Sequence, residues 1–279
     1  MTKAAAQATG LTPGLPIALG CADTAAAAFA LGLSKQGDAF ESAGTSDVLT
    51  FCLEEPDFDA AFLNRAHVLP GRWLAHGAMS TTGGAVEWLC SKAFPELASA
   101  AEVEAQAARS VPGAHGVVFL PYLAGERSPV FDPAARGLWL GLRRDTTRAD
   151  LVRAVYEGIA FGLRQILNQA ERHWNFSVES VPCVGGGAMS SLGLRVRADV
   201  LGLTCRSVAF PHVAALGAAL LGGIAAGVFS GPEDPALPFL RTSTAAVHPD
   251  PQNKTVYDQL FQVYDRLYPA LVEAMHALP

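Results

Sequence analysis

Apolar residues recur every three or four positions along 151–166, which predicts a long helix with one buried face. Thr147 and Asp150 have the spacing of a capping box, so the helix is predicted to begin directly after Thr147. Gly158 and Gly162 lie inside it, although each glycine costs about 1 kcal/mol of helix propensity relative to alanine. We therefore expect another element to approach the helix closely at these two glycines.

Shorter apolar runs, bounded by glycine, proline and small polar residues, predict strands and further helices in the rest of the chain. Two strands are expected within 39–53, joined at the small-residue turn AGTSD. Other strands are predicted at 16–20, 67–73, 116–123, 138–142 and 205–210, and helices at 22–31, 82–94, 97–109, 213–227 and 252–277. Residues 180–203 predict a strand, a glycine turn and a helix. Early strands followed by alternating strands and helices favour an α/β sheet with helices on its faces.

Composition narrows the classes of function. The 279 residues are 50% hydrophobic, so the chain can bury the core of one large domain or two small ones. The net charge of −6 comes without any cluster of Lys or Arg, which argues against a nucleic-acid partner. The N-terminus has no long apolar core, and no apolar run reaches the roughly 18 residues of a membrane span. We expect a cytoplasmic protein that does not bind membranes.

Cysteine and histidine spacing excludes several kinds of site. The five cysteines are far apart and form no C-x-x-C pair, which predicts neither a disulfide framework nor a zinc site. The histidines lack H-x-x-x-H spacing, so no metal ligand is assigned to the chain. No G-x-S-x-G sequence is present to indicate a serine hydrolase.

Three small-residue turns next to predicted strands carry the candidate chemistry: 20–23, 44–46 and 185–188. Asp23 heads a predicted helix, where it either stabilises the helix start or serves as a general base, and the two roles are compatible. The turn at 44–46 offers backbone N–H groups and two hydroxyls to phosphate oxygens, but it is equally compatible with an ordinary hairpin. The glycines at 185–187 either admit a ligand to a helix N-terminus or form a plain strand-to-helix turn.

Considered together, the motifs resemble a known family. Residues 121–164 resemble the second half of the FGGY family of carbohydrate kinases, and the segments 20–28, 41–49, 184–203 and 214–223 match it in the same order. Within that family, HVLPGRWLAHGAMSTTGGAVEWL resembles the xylulokinases.

The resemblance implies an α/β fold, namely a ribonuclease-H-like domain of the actin-like ATPase superfamily with a mixed sheet and helices on both faces. This C-terminal domain is expected to occupy 10–279, including a terminal helix near 252–277, after a tail at 1–9. The family's N-terminal sugar-binding domain is expected to be absent from this chain, which is then either a truncated product or the partner of a separate chain that supplies that domain. A surface built to be covered then predicts self-association, with a homodimer expected.

The resemblance also implies an activity and its cofactors. The chain is expected to be the C-terminal half of a kinase that transfers the γ-phosphate of ATP, with Mg²⁺, to a sugar hydroxyl, a pentulose such as xylulose being favoured. Asp23 would take the proton from that hydroxyl, and the turn Gly44-Thr45-Ser46 would hold the β- and γ-phosphates. The residues expected to approach the rest of the nucleotide are Gly141, Gly186, Gly187, Ala188 and Ser191.

Two residues depart from the family's usual sequence. Thr24 follows the aspartate where many members have Asn, and Asp47 follows the G-T-S turn where many have Gly. The Asp47 carboxylate is expected to weaken ATP binding, to turn away, or to help hold Mg²⁺.

Alternatives remain at this point. Alone, the chain is expected to bind adenine nucleotide weakly and to phosphorylate sugar at no useful rate, since the sugar would not be oriented and water would not be excluded. The second reading is a non-catalytic nucleotide-binding or interaction module. An acetate-kinase-like or Hsp70-like ATPase is disfavoured by the GERSP and EGIAFG segments.

Overall fold

A computed structural model describes residues 1–239 and 245–279. The strands are β1 (Ala39–Ala43), β2 (Asp47–Leu53), β3 (Leu63–Ala66), β4 (Trp73–Ala78), β5 (Val118–Leu120), β6 (Leu138–Leu140), β7 (Ser180–Val184), β8 (Thr204–Ser207) and β9 (Ala245–Val247). The α-helices are α1 (Lys3–Thr9), α2 (Asp23–Ala30), α3 (Gly83–Trp88), α4 (Ala100–Ala107), α5 (Arg148–Trp174), α6 (Ser191–Leu201), α7 (Val213–Ala225) and α8 (Lys254–His276).

Seven strands form one mixed sheet in the order β3-β4-β2-β1-β7-β8-β9. The strands β1, β7 and β8 run parallel to one another, and the remaining neighbours pair antiparallel. A separate pair, β5 and β6, forms a small antiparallel sheet. The predicted mixed sheet is therefore confirmed.

Alternating side chains on β1 and β2 send apolar residues to both faces of this sheet. Ala39 and Phe51 pack under α5 and α6, in one cluster with Ile166. Phe40 and Cys52 pack on the other face against the alanines of α2 and the start of α7. Helices thus cover both faces, as the resemblance implied.

The long helix α5 begins as predicted. The Asp150 carboxylate accepts the Thr147 N–H at 2.9 Å, and the Thr147 hydroxyl accepts the Asp150 N–H, which completes the capping box. Close approach also occurs at both glycines: a Cβ on Gly158 would lie 2.2 Å from the Phe119 carbonyl oxygen. The cost in helix propensity is compensated by packing of α5 against β5.

The prediction of a strand at 16–20 is wrong. These residues form no strand, and the side chains of Ile17 and Leu19 are 59% and 103% exposed. Apolar composition alone favoured a strand, but a strand also needs a partner edge, and no strand of the described ranges pairs with this segment. The first nine residues, predicted as a tail, include the short helix α1.

The prediction of a strand over 67–73 is also wrong. Residues 67–72 connect β3 to β4, with the His67 N–H donating to the Arg72 carbonyl and Gly71 at a φ of +69°. Only Trp73 belongs to a strand. The Pro-Gly pair fits the turn chemistry of a hairpin connection, which outweighed the apolar residues around it.

No helix within 1–239 or 245–279 is both long and apolar enough to cross a bilayer.

Candidate active site

Two glycine-containing turns meet at one edge of the sheet because β1 and β7 are parallel neighbours. Ser42 pairs with Val184 at the carboxyl ends of these strands. The chain then continues into the turn at 44–46 after β1 and into the glycines at 185–187 after β7. Gly185 has a φ of +94°, and a Cβ there would lie 2.5 Å from the Ala43 carbonyl oxygen, so this close approach requires glycine. Ligands of open α/β sheets bind at such strand ends.

A first cavity of about 180 Å³ contains Asp23 at its rim. Asp23 is exposed and is the first residue of α2; Ala22 is the N-cap, and the Asp23 Oδ1 accepts the Thr24 N–H at 2.8 Å. Ser42 and Gly185 line the same cavity, together with apolar side chains from α7 and the sheet. Asp23 thus faces solvent in the same crevice as the glycine turn.

Thr24 lines this cavity as well. Its hydroxyl oxygen is buried and has no hydrogen-bond partner among the residues that the structure describes. A buried hydroxyl without a partner is costly. Thr24, which stands where many family members have Asn, therefore leaves this hydroxyl oxygen, unpaired within the described residues, next to Asp23, the candidate general base.

A second cavity of about 200 Å³ lies next to the first, since Gly185 lines one and Gly186 and Gly187 line the other. Its remaining lining residues come from distant parts of the chain: Gly44, Asp47, Gly83, Val86, Ala100, Glu104, Tyr156, Ile159, Ser190 and Arg197. The cavity combines two glycine turns with apolar walls and a few polar groups, as small-molecule sites commonly do.

The turn at 44–46 offers hydrogen-bond donors. Gly44 N–H is occupied, because it lies 3.3 Å from the Ser46 carbonyl and 3.2 Å from the Asp47 Oδ1. Within the described ranges, neither the N–H nor the hydroxyl of Thr45 or Ser46 donates a hydrogen bond to the protein. Backbone and hydroxyl donors of this kind suit phosphate oxygens.

Asp47 turns away from the exposed side of this turn. Its side chain is 1% exposed and accepts hydrogen bonds from the Thr82 hydroxyl at 2.7 Å and from the Arg197 Nη2 at 2.8 Å. Burial raises the pKa of Asp47 to about 7, against the opposing effect of the Arg197 guanidinium. Of the three outcomes expected for Asp47, the structure shows the side chain turned into the protein.

Five of the predicted site residues line neither cavity: Thr45 and Ser46 of the 44–46 turn, and Gly141, Ala188 and Ser191. Gly141 packs against the Gly116 carbonyl beside the small sheet, with a φ of +89°. Ala188 is 2% exposed and belongs to the core under α6. The Ser191 hydroxyl donates to the Glu104 Oε1 at 2.9 Å, and it is the preceding residue, Ser190, that lines the second cavity.

Sequence reasoning missed several lining residues. Gly83 carried a usable signal, since a Gly-Gly pair forms the first two residues of the helix α3; a Cβ on Gly83 would lie 2.3 Å from the Gly44 carbonyl oxygen. Glu104, Tyr156 and Arg197 carried none, because each lies within a helix whose local sequence gives no sign of a ligand. Their contribution depends on which helices the fold brings to the strand ends.

The acidic groups fit Mg²⁺ only as an ion held mainly by phosphates and water. The described part of the chain contains no group of three or more His, Cys, Asp or Glu side chains able to hold a metal. Asp47 is committed to Arg197, Thr82 and Gly44, which leaves Asp23 as the acidic side chain that lines the first cavity. Mg²⁺ is commonly bound by one or two carboxylates together with substrate phosphates.

Comparison with known proteins identifies relatives over nearly the whole chain. Residues 39–226 match the model of the FGGY family of carbohydrate kinases, C-terminal domain. The crystal structure of xylulose kinase from Rhodospirillum rubrum superposes with a TM-score of 0.86 at 30% identity, covering 99% of this chain and 56% of that one. A xylulose kinase of Staphylococcus epidermidis is 30% identical over 96% of this chain and 54% of its own length. A glycerol kinase of a Geobacter species is 36% identical over 77% of this chain and 44% of its own.

The chain therefore spans about half the length of the curated relatives it matches. The superposition shows that the fold is the ribonuclease-H-like one of the actin-like ATPase superfamily, as the sequence resemblance implied. The family match begins at β1, whereas the full-length relatives also cover the segment that carries Asp23.

Proposed function

Because this chain belongs to the FGGY family of carbohydrate kinases, we propose that it forms the nucleotide-binding half of an ATP-dependent sugar kinase. One observation carries the proposal: Asp23 shares a cavity with Gly185, and the next two glycines line the adjoining cavity together with Gly44. A carboxylate and two glycine turns thus form one continuous region at the strand ends. The xylulose kinase relatives favour a pentulose as the phosphate acceptor.

The nucleotide would occupy both cavities. Its adenosine part would lie in the second cavity against Gly186 and Gly187, and its phosphates would follow the 44–46 turn toward Asp23. The free amides and hydroxyls of Thr45 and Ser46 would donate to phosphate oxygens. Such fixed donors stabilise the charge of a transferring phosphoryl group without needing to reorganise.

Asp23 would act as the general base. The sugar hydroxyl oxygen attacks the γ-phosphorus, the bond from that phosphorus to the bridging oxygen of ADP breaks, and the hydroxyl proton passes to the Asp23 carboxylate. The exposure of Asp23 supports this role, since an incoming hydroxyl can reach it. When bound, Mg²⁺ would supply positive charge against the phosphate oxygens, and Asp23, which lines the first cavity, would hold one of its coordinated waters.

Because the chain spans only about half the length of its kinase relatives, we consider the activity of the isolated chain separately. We propose that the sugar contacts come from the rest of the kinase, whether on the same polypeptide or on another chain, and that these 279 residues alone bind Mg-ATP weakly. Without the other half, the acceptor is not oriented against the γ-phosphate. Sugar-dependent ATP turnover by the purified 279-residue chain, measured over a panel of pentuloses and polyols, would contradict this.

Substitution of Asp23 tests the base. In the kinase assembled with its remaining half, Asp23→Asn is expected to lower kcat about 10²- to 10⁴-fold, because proton transfer is lost. Affinity for Mg-ATP should stay within about twofold, since the glycine turns are intact. The exposed acid Asp145 provides the matched control Asp145→Asn, which should leave kcat unchanged. Normal turnover by the Asp23 variant would refute the catalytic assignment.

A further inference from the structure

Asp47 holds together the turn that is proposed to bind phosphates. Its Oδ1 accepts both the Gly44 N–H, at 3.2 Å, and the Thr82 hydroxyl, at 2.7 Å. Thr82 belongs to the connection between β4 and α3, and its own N–H donates to the Thr45 carbonyl at 3.1 Å. One carboxylate oxygen therefore ties the turn to itself and to the neighbouring loop.

The same loop closes over the other side of the turn. Gly83 N–H donates to the Gly44 carbonyl at 3.2 Å, and Gly84 N–H donates to the Thr45 carbonyl at 3.0 Å. These bonds occupy carbonyl oxygens that would repel phosphate. Thr45 and Ser46 keep their N–H and hydroxyl donors without a protein acceptor in the part of the chain described. The turn therefore leaves the hydrogen-bond donors of Thr45 and Ser46 available to a ligand, while its carbonyl acceptors are already occupied.

Arg197 fixes the second oxygen of Asp47. The guanidinium comes from α6, its side chain is 9% exposed, and it donates through Nη2 to Asp47 and through Nε to the Glu41 Oε1 at 2.7 Å. Two buried carboxylates thus share one guanidinium, and the Glu41 Oε2 has no hydrogen-bond partner within the described ranges. Buried charge clusters of this kind often contribute little or nothing to net stability, because desolvation offsets their attraction.

Such a cluster need not add net stability, and here its contacts hold one turn in place, which suggests that it serves to position that turn. We propose that Asp47 is a positioning residue, which together with Glu41 and Arg197 holds the 44–46 turn with its Thr45 and Ser46 donors directed to the terminal phosphates of the nucleotide. The proposal rests on the proposed nucleotide site. It also assigns Arg197 two contacts, since this residue lines the second cavity while it orients the phosphate turn.

Nucleotide titration of Asp47 variants separates positioning from general stability. Asp47→Ala is expected to weaken Mg-ATP binding by about 10- to 100-fold, the effect of losing hydrogen bonds to a charged group. AMP, which lacks the terminal phosphates, should bind within about twofold of the unmodified chain. Asp47→Asn keeps an oxygen for Gly44 and Thr82 but turns an amide donor toward the Arg197 guanidinium, so its Mg-ATP affinity should lie between those of Asp47→Ala and the unmodified chain. Equal losses for AMP and Mg-ATP, or no loss for either, would overturn the proposal.

A second measurement does not depend on nucleotide binding. Hydrogen exchange of peptides covering 43–47 and 80–85 should accelerate in Asp47→Ala and accelerate less in Asp47→Asn, because the Gly44 bond and the Thr82 contact depend on the side-chain oxygen that Asn keeps. The matched control is Asp199→Asn, which alters a different buried acid, located on α6, that accepts hydrogen bonds from Asp250 and Asn253. It should leave both peptides unchanged.

The two measurements distinguish two kinds of failure. If the unmodified chain binds no Mg-ATP, the proposed nucleotide site is refuted, and the exchange rates still decide whether Asp47 fixes the turn. If Mg-ATP binds but the 43–47 and 80–85 peptides of Asp47→Ala exchange hydrogen no faster than those of the unmodified chain, the positioning role is refuted and the nucleotide site stands.

Discussion

Buried titratable side chains in this protein respond to acid in two opposite ways. Burial lowers the pKa of His67 and of His76 from 6.5 to about 4. Burial also raises the pKa of Glu126 to about 7. Each of these two buried imidazoles contributes stability that is present above about pH 6.5 and is lost as pH falls through 4. The Glu126 carboxyl contributes stability that is lost as pH rises through 7.

Because the two groups oppose each other, the histidine contribution is best measured by difference. His76→Gln is expected to lose less free energy of unfolding than the unmodified chain when pH falls from about 6.5 to 4.5, by roughly 1.4 kcal/mol per pH unit. The cause is that burial of His76, whose Nε2 has no partner among the described residues, disfavours its protonated form. Urea unfolding at several pH values measures this slope.

An exposed imidazole supplies the control for that experiment. His212 lies at the surface before α7, so His212→Gln is the control for replacing an imidazole outside the core. A His76→Gln slope equal to that of the control would contradict the assigned effect of burial.

At the scale of elements, glycine marks where two backbones approach. Gly158→Ala places a methyl group 2.2 Å from the Phe119 carbonyl oxygen, which belongs to β5 and cannot move independently. We expect a loss of about 1–3 kcal/mol in the free energy of unfolding, as for other overpacked cores. Thermal or urea unfolding measures it.

Gly222 in α7 is the matched control, since a Cβ there would meet nothing within 4 Å. Gly222→Ala should stabilise the chain by up to about 1 kcal/mol through helix propensity alone. If both alanine variants stabilise the chain, α5 does not depend on its approach to β5.

Short apolar segments were predicted less well than long helices. The helix α5 carries its periodicity and its cap in its own sequence, so the prediction needed no partner. The segments at 16–20 and 67–73 carried apolar residues but no information on which strand edge was available. Pairing of β1 with β7 joins residues more than 140 positions apart, for example Glu41 with Cys183, and local sequence cannot specify it.

At the scale of the whole molecule, the protein exposes more surface than a compact monomer of its mass. It exposes 13607 Å², whereas a compact monomer of 29.2 kDa is expected to expose about 11,500 Å². Leu11, Leu15, Ile17 and Leu19 contribute exposed apolar side chains along one extended segment. Large uncovered apolar surface favours association.

We therefore predict self-association of the chain at high concentration, with a dimer as the first species. The double substitution of Ile17→Ser with Leu19→Ser should reduce it, because the change removes apolar surface from the segment before Asp23. Light scattering over a concentration series measures the apparent mass. Val228→Ser, at a side chain 72% exposed elsewhere, is the control. A monomeric mass for the unmodified chain at every concentration would contradict the prediction.

The sequence by itself determined the family, the long helices and the glycine turns, because each of these depends on residues close together along the chain. It also placed Asp23, Gly44, Gly186 and Gly187 among the site residues, and all four line the two cavities. The tertiary structure alone decided that the other five predicted site residues do not line them and that Glu104, Tyr156 and Arg197 line the second. It also decided that the Asp47 side chain is buried and paired with Arg197, which lies 150 positions away. Burial and hydrogen bonding between such distant residues arise only when the sheet is assembled, and those contacts set how each side chain is used.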